Sequence, residues 1–155
     1  MSVGLKKKSS AKKITENIFS NYSVDEQVGF LMRVAMQKHT AIFAAKMINN
    51  LTPPQFVVMA KLYEIGPCTQ NKLGRLTFLH SPTIKGVVER LGSHGYVITK
   101  VDPAHRRRRT VSLTSKGIRV TEAGIRLSLQ ISTNTLKSLN RADQKKIVCL
   151  LKKLI

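Results

Sequence analysis

The stretch that decides the fold is residues 69–113, which run TQNKLGRLTFLHSPTIKGVVERLGSHGYVITKVDPAHRRRRTVSL. A helix is predicted to begin at Ser81-Pro82, because a serine hydroxyl can accept the unpaired amide hydrogens of a first turn and proline is pre-set for the first helical position. From there, apolar residues recur at the spacing of one buried helical stripe: Ile84, Val87, Val88 and Leu91. We therefore expect a helix over about 81–92 with one face in a core.

The opposite face of this predicted helix is small, polar or cationic. Its residues are Thr83, Lys85, Gly86 and Arg90. A shorter helix is predicted just before it, because Thr69 can cap a helix start. Leu73 and Leu76 of the shorter helix are expected to pack against the longer one.

Two β-strands joined by a basic loop are predicted next. Residues 96–101 (YVITKV) change to β-branched and aromatic side chains with an alternating pattern, which is typical of a strand. Residues 109–113 (RTVSL) are the expected partner strand, with Val111 and Leu113 on one face. Because DPAHRRRR at 102–109 connects the two, the pattern predicts a hairpin with a basic tip.

A helix, a turn, a second helix and a wing in this order resemble the winged helix-turn-helix of the MarR family of bacterial transcription regulators. The resemblance rests on Asp102-Pro103-Ala104 leading into Arg106-Arg107 and closing on Leu113-Thr114, and it spans about residues 24–155. In this chain His105 stands where the family's wing usually carries a second aspartate. The resemblance implies a mainly α fold with a small β-wing, and a homodimer built from both ends of the chain.

The rest of the chain is predicted to supply an arm and long terminal helices. Residues 1–22 are expected to be a flexible basic arm, and residues 23–155 a MarR-type domain. Within that domain the winged helix-turn-helix covers about 53–113, between dimerisation helices at about 23–50 and 114–155. Helix starts are predicted at four capping sequences: Ser23-Val-Asp-Glu26, Thr52-Pro-Pro-Gln55, Thr114 and Asn140. A small winged module cannot cover the leucine stripes of the terminal helices, so a two-fold dimer is expected.

The formal net charge of +19 predicts a polyanionic partner. Nucleic acid is the leading candidate, with ribosomal RNA as a special case, and an acidic membrane surface comes second. Because no apolar run reaches the length of a membrane span or a signal peptide, the protein is expected in the cytoplasm, associated with the nucleoid through DNA. Two functions stay open at this point: a sequence-specific regulator of double-stranded DNA, and a sequence-indifferent architectural or RNA-binding protein.

Phosphate positioning and base reading call for different residues in different places. Thr69 and Gln70 are suited to phosphate, and the arginines of the wing fit a narrow minor groove. The family resemblance makes Arg107 the inserted residue and places Arg106 nearer to Asp102. The complete set of predicted DNA contacts is Thr69, Gln70, Ser81, Pro82, Thr83, Lys85, Gly86, Arg90, Arg106, Arg107 and Arg108.

MarR proteins typically respond to small anionic aromatic molecules, and the resemblance implies a repressor released from a pseudo-palindromic operator by a small aromatic carboxylate. The residues that can line such a site are His39, Phe43, Phe56 and Met59. Each also has a simpler interpretation, since the three apolar residues fit a plain core and the histidine fits a surface or hydrogen-bonded position.

The cysteines, histidines and carboxylates form no pattern typical of an enzyme, a cofactor site or a metal site. Cys68 and Cys149 lie far apart without metal-binding spacing. Cys68 precedes a helix start, which leaves a redox-active thiolate as an alternative to a small residue in a turn. Cys149 lies within a leucine stripe and is expected in the core.

Overall fold

The computed structural model describes residues 22–102 and 105–155, apart from the side chains of residues 102 and 105–108. Residues 1–21 of the predicted basic arm therefore lie outside the described residues. Six α-helices in the described part are α1 (Val28–Lys46), α2 (Pro53–Ile65), α3 (Gln70–Thr77), α4 (Ser81–Ser93), α5 (Ser115–Thr135) and α6 (Arg141–Lys152). Single 3₁₀ turns lie at Val24–Glu26 and Ile48–Asn50. Three strands, β1 (Cys68–Thr69), β2 (Val97–Asp102) and β3 (His105–Leu113), complete the predicted mainly helical fold with a small wing.

The described residues fall into two units, 22–37 and 38–155, with the boundary inside α1. The first unit contains the 3₁₀ turn and the beginning of α1, and most of its large apolar side chains are exposed: Val24, Val28, Leu31, Met32, Val34 and Met36. The second unit contains the winged helix-turn-helix and its hydrophobic core. The proposed division into an arm and a domain at residues 22 and 23 stays a prediction.

Three of the predicted helix starts are confirmed by hydrogen bonds of their capping side chains. Thr69 Oγ1 accepts the Lys72 N–H at 3.3 Å, Thr114 Oγ1 accepts the Gly117 N–H at 3.0 Å, and Asn140 Oδ1 accepts the Asp143 N–H at 2.9 Å. These bonds satisfy amide groups that have no partner inside a first turn.

The start and end of α2 also follow the prediction. The Thr52 N–H donates to Gln55 Oε1 at 2.9 Å, which is one half of a capping box. The helix ends at Ile65, and Gly66 adopts a φ of 75° that favours glycine.

One predicted helix cap and one predicted helix start are wrong. The helix α4 begins at Ser81, but its cap is His80, not Ser81, and neither residue makes a side-chain capping bond there, because the helix begins one residue earlier than a serine cap at position 81 requires. Pro82 still lies in the first turn, where its missing N–H is tolerated. After Ser23 the chain forms only the 3₁₀ turn, since Gln27 has an extended backbone at φ −77° and ψ 128°. The first long helix therefore begins at Val28.

The sheet has the order β1-β3-β2, with both pairs antiparallel. The hairpin of β2 and β3 is confirmed, although β3 extends four residues further toward the loop than predicted and β2 is shifted by one residue. Strand β1 is a feature that the sequence analysis missed, and it pairs Cys68 with Val111 and Thr69 with Thr110. Two residues are too few to show an alternating pattern, so only the position of β3 makes them a strand.

The core lies between α2, α4, α5 and the sheet. All four members of the predicted α4 stripe are buried, and they belong to one hydrophobic cluster with Leu73 of α3, Met59 of α2 and Val111 of β3. Leu76 was expected to pack here as well, but it is 39% exposed because it lies on the solvent side of α3. Within the described residues, no helix is both long enough and apolar enough to cross a membrane.

Candidate nucleic-acid interface

The outer face of α4 is a row of solvent-exposed polar and cationic groups. The exposed members are Ser81, Pro82, Thr83, Lys85 and Arg90, while Gly86 is half-buried. A Cβ added at Gly86 would lie 3.7 Å from a terminal nitrogen of the Arg90 guanidinium, so this side chain runs back along the helix by one turn. Lys85 Nζ lies 3.9 Å from Glu89 Oε1, and because both side chains are largely exposed this ion pair is weak. The lysine can therefore exchange the carboxylate for a phosphate.

A second cluster of cations lies where α3 meets β3. A groove of about 580 Å³ is lined by Gln70, Lys72, Arg75 and Arg109, together with Thr69. The pairing of β1 with β3 creates this groove, because it brings the base of the wing beside the start of α3. The oxygen of Thr69 accepts the Lys72 N–H as the helix cap, and its hydroxyl hydrogen remains able to bind phosphate beside Gln70 and the cations.

Lys72, Arg75 and Arg109 are cationic residues of this groove that the sequence analysis did not select. The first two lie three residues apart on α3, which places them on one side of the helix. Plotting the predicted helix as a helical wheel could therefore have identified them from the sequence. Arg109 was assigned to a strand, and its position beside α3 depends on a pairing that the sequence does not show. The side chains of Arg106, Arg107 and Arg108 lie outside the described residues, so their predicted contacts stay predictions.

The four residues proposed for an effector site are neighbours, and three of them belong to the core. Phe43, Phe56 and Met59 are buried, which agrees with the simpler interpretation of each. His39 is half-buried, and its ring centroid lies 6.4 Å from that of Phe43, which in turn lies 6.1 Å from that of Phe56. His39 Nδ1 lies 2.9 Å from Thr135 Oγ1 of α5, within hydrogen-bonding distance. The structure therefore brings one polar pair and two aromatic rings together at the junction of α1, α2 and α5.

The two cysteines differ from their predicted surroundings. Cys68 is buried in β1 rather than placed in a turn, and burial raises the pKa of its thiol more than the charge of Lys72 lowers it. This raised pKa disfavours the thiolate that a redox switch needs. Cys149 was expected in the core, but it is exposed on α6, which buries none of its residues within the single chain.

Comparison with known proteins links this geometry to a family. A family model described as MarR family matches residues 51–108. Over 135 residues the chain is 41% identical to the HTH-type transcriptional repressor NicR of Pseudomonas putida, covering 86% of this chain and 85% of NicR. Its structure is similar to that of a probable transcriptional regulator from Pseudomonas aeruginosa, with a TM-score of 0.83 and 42% identity over 86% of this chain and 100% of that one. It is also similar to BpsR of Bordetella bronchiseptica, whose DNA binding is regulated by 6-hydroxynicotinic acid, with a TM-score of 0.81 and 37% identity over 86% of this chain and 96% of BpsR.

Sequence identity and fold agree over the same part of the molecule. The matched residues 51–108 include α2, the helix-turn-helix of α3 and α4, and most of the wing. The alignment with NicR extends beyond this module to most of both chains. This chain therefore belongs to the MarR family, whose members are DNA-binding transcription regulators built on a winged helix-turn-helix.

Proposed function

We propose that this protein is a repressor that binds a pseudo-palindromic operator as a homodimer and releases it when a small aromatic acid binds. The observation that carries the proposal is the division of α4 into a buried stripe and an exposed polar face. A firmly held helix with hydroxyl, ammonium and guanidinium groups on its outer side is suited to reading base edges in a major groove. The proposal makes the protein a binding protein of the bacterial cytoplasm; regulators of its family are generally not enzymes.

Each part of the surface has a separate role in the proposed complex. Ser81, Thr83, Lys85 and Arg90 contact the major groove, as does the exposed ring of Pro82, and the small Gly86 allows the backbone to come close. The cations around Thr69 and Gln70 hold phosphates. Arg106, Arg107 and Arg108 reach the minor groove, where guanidinium groups are favoured.

The homodimer is supported by apolar side chains that are exposed in the single chain. On α6 and the residues after it, these are Val148, Leu150, Leu151, Leu154 and Ile155. The beginning of α1 carries a second apolar set, described above. A two-fold dimer would cover apolar surface of this kind and would present two copies of α4 about one helical turn of DNA apart.

The effector is proposed to be a hydroxylated heteroaromatic acid, because the DNA binding of BpsR is regulated by 6-hydroxynicotinic acid. Such a molecule needs a polar partner for its carboxylate and an apolar wall for its ring. His39 with Thr135 supplies the polar partner, and Phe43 with Phe56 supplies the wall. Met59 is fully buried, so it would support the wall from inside the core.

Selection of duplexes from a random-sequence library tests the DNA-binding part of the proposal. The enriched sequences should contain two half-sites related by a two-fold axis, about one helical turn apart. At physiological salt the selected duplex should bind about a thousandfold tighter than random duplex. Equal affinity for both, or enrichment without symmetry, would contradict the proposal and favour a sequence-indifferent architectural protein.

Titration of the complex with 6-hydroxynicotinic acid tests the effector part. The acid should lower the affinity for the selected duplex by a factor of about five to 150, and 6-hydroxynicotinamide, which lacks the carboxylate, should have little effect. In His39→Asn the response to the acid should be lost, while DNA affinity without the acid is retained. Thr40→Ala, an exposed neighbour on α1, is the matched control. A full response in His39→Asn would show that the acid binds elsewhere.

A further inference from the structure

The turn between α3 and α4 holds a phenyl ring in solvent. Phe78 is 79% exposed, and its backbone lies in the left-handed region at φ 54° and ψ 33°. Its N–H donates to the Arg75 carbonyl at 3.3 Å, and the N–H of Leu79 donates to the Gly74 carbonyl at 2.9 Å. These hydrogen bonds end α3 and direct the chain into α4, so the left-handed conformation is required at this position.

The needs of folding do not account for a phenylalanine at position 78. Glycine is the usual residue in the left-handed region at a helix end, because any Cβ is disfavoured there. The ring gains little from packing, since most of it is in solvent, whereas the next residue, Leu79, packs against the core. A bulky residue held in a disfavoured conformation on the surface indicates a role in binding.

The surroundings of the ring indicate what it binds. Phe78 lines a groove of about 720 Å³ together with Asn71, Arg75, His80 and Ser81. Ser81 is the first residue of α4, so the ring lies beside the end of the helix that helix-turn-helix proteins direct toward base edges. The exposed Arg75 lines the same groove and supplies positive charge there. An apolar ring that shares a groove with a cation, at the edge of the outer face of α4, fits DNA as its partner.

We propose that Phe78 reads thymine by packing its ring against the 5-methyl group of that base in each half-site, an inference that rests on the proposed function. In the major groove the base edges present hydrogen-bonding groups and, on thymine, an apolar methyl group. An apolar side chain can therefore recognise thymine by contact with this methyl group. Phe78 is then a specificity-determining residue that precedes the recognition helix, and α4 alone does not contain the complete recognition surface.

Replacement of each thymine by deoxyuridine in the selected duplex tests the inference, because it removes the methyl group alone. The thymines are replaced one position at a time, in both half-sites. At one of these positions, wild-type protein should bind the deoxyuridine duplex about tenfold more weakly than the thymine duplex. Phe78→Gly should bind the thymine duplex about tenfold more weakly than wild type and should not distinguish the two duplexes. Its melting temperature should equal or exceed that of wild type, because glycine relieves the left-handed backbone. Val57→Ala, which shortens an exposed apolar side chain on α2, should leave both affinities unchanged.

Three results would overturn the inference while leaving the proposed function intact. One is Phe78→Gly binding the thymine duplex as tightly as wild type. Another is the same loss for Phe78→Gly on thymine and deoxyuridine duplexes, which would assign the ring to a contact other than the methyl group. The third combines two observations: Phe78→Gly melts at a lower temperature than wild type, and Phe78→Leu binds both duplexes with the affinity that wild type has for the thymine duplex. Together they would show that the side chain has a structural role. If wild-type protein selects no sequence at all, the proposed function itself fails.

Discussion

Arg90 lies on the outer face of α4, with its guanidinium over the residue one turn before it. The guanidinium of Arg90 lies along the helix over Gly86, with its terminal nitrogens 3.7 and 3.8 Å from where a Cβ at this position would be, which is ordinary van der Waals distance. Long side chains on a helix point toward its N-terminus, which is the direction this arginine takes. The charge is therefore presented over Gly86, on the exposed face of α4.

Arg90→Ala is expected to weaken binding to the selected duplex by about 1–3 kcal/mol, because the guanidinium is exposed in the free protein and is free to contact DNA. The melting temperature should change little for the same reason. Fluorescence anisotropy titration at several salt concentrations measures the loss and separates base from phosphate contacts. Arg126→Ala on α5, which removes the same charge from another exposed position, is the control. Equal losses in both variants would indicate a general charge effect rather than a contact of Arg90.

At the scale of elements, the approach of α5 to α2 depends on glycine. A Cβ added at Gly124 would lie 2.9 Å from Cε2 and 3.1 Å from Cδ2 of Phe56, closer than normal van der Waals contact. Phe56 is itself buried and tilted against Phe43, so its ring has little space to move. The glycine thus permits the close contact between α5 and Phe56 of α2.

Gly124→Ala is expected to lower the free energy of unfolding by about 1–3 kcal/mol, because the methyl group overpacks the core against Phe56. Gly92→Ala is the matched control, since a Cβ at this helical glycine meets nothing within 4 Å. The control should be more stable than wild type by about 0.5–1 kcal/mol, as alanine favours a helix over glycine. Urea unfolding followed by circular dichroism measures both values. A Gly124→Ala variant as stable as wild type would show that the Phe56 ring can move aside.

At the scale of the whole molecule, α6 needs a surface that the single chain does not supply. It buries none of its own residues within one chain, and its leucines are about half exposed. Covering such a stripe with a second copy removes apolar surface from water, which is the main driving force of association. The same association would pair two copies of α4, so dimer formation and operator affinity are linked.

Leu151→Glu is expected to shift the protein toward monomer at micromolar concentration, because burying an unpaired carboxylate in an apolar interface is costly. Sedimentation equilibrium measures the shift, and affinity for the symmetric duplex should fall with it. Lys152→Ala, an exposed neighbour on the same helix, should stay dimeric. A dimeric Leu151→Glu variant would exclude this part of α6 from the interface.

The sequence alone determined the parts of this protein whose signals are local. The stripe from Ile84 to Leu91 predicted the buried face of α4, and Thr69, Thr114 and Asn140 predicted the starts of three helices. Such signals depend on residues three or four positions apart, so no distant contact is needed to interpret them. The outer face of α4 followed directly, since it is what the buried stripe leaves exposed.

Tertiary structure decided what depends on residues far apart in the chain. Strand β1 exists because β3 lies beside it, and this pairing brings Arg109 to Lys72 and Arg75 in one groove. His39 meets Thr135 across 96 positions of sequence. In the sequence Phe78 cannot be distinguished from an ordinary apolar residue. The structure shows that its backbone is left-handed and that its ring is exposed to solvent. The physical reason is the same in each case: local patterns decide which face of an element is apolar, whereas packing between elements decides which side chains meet and which stay exposed.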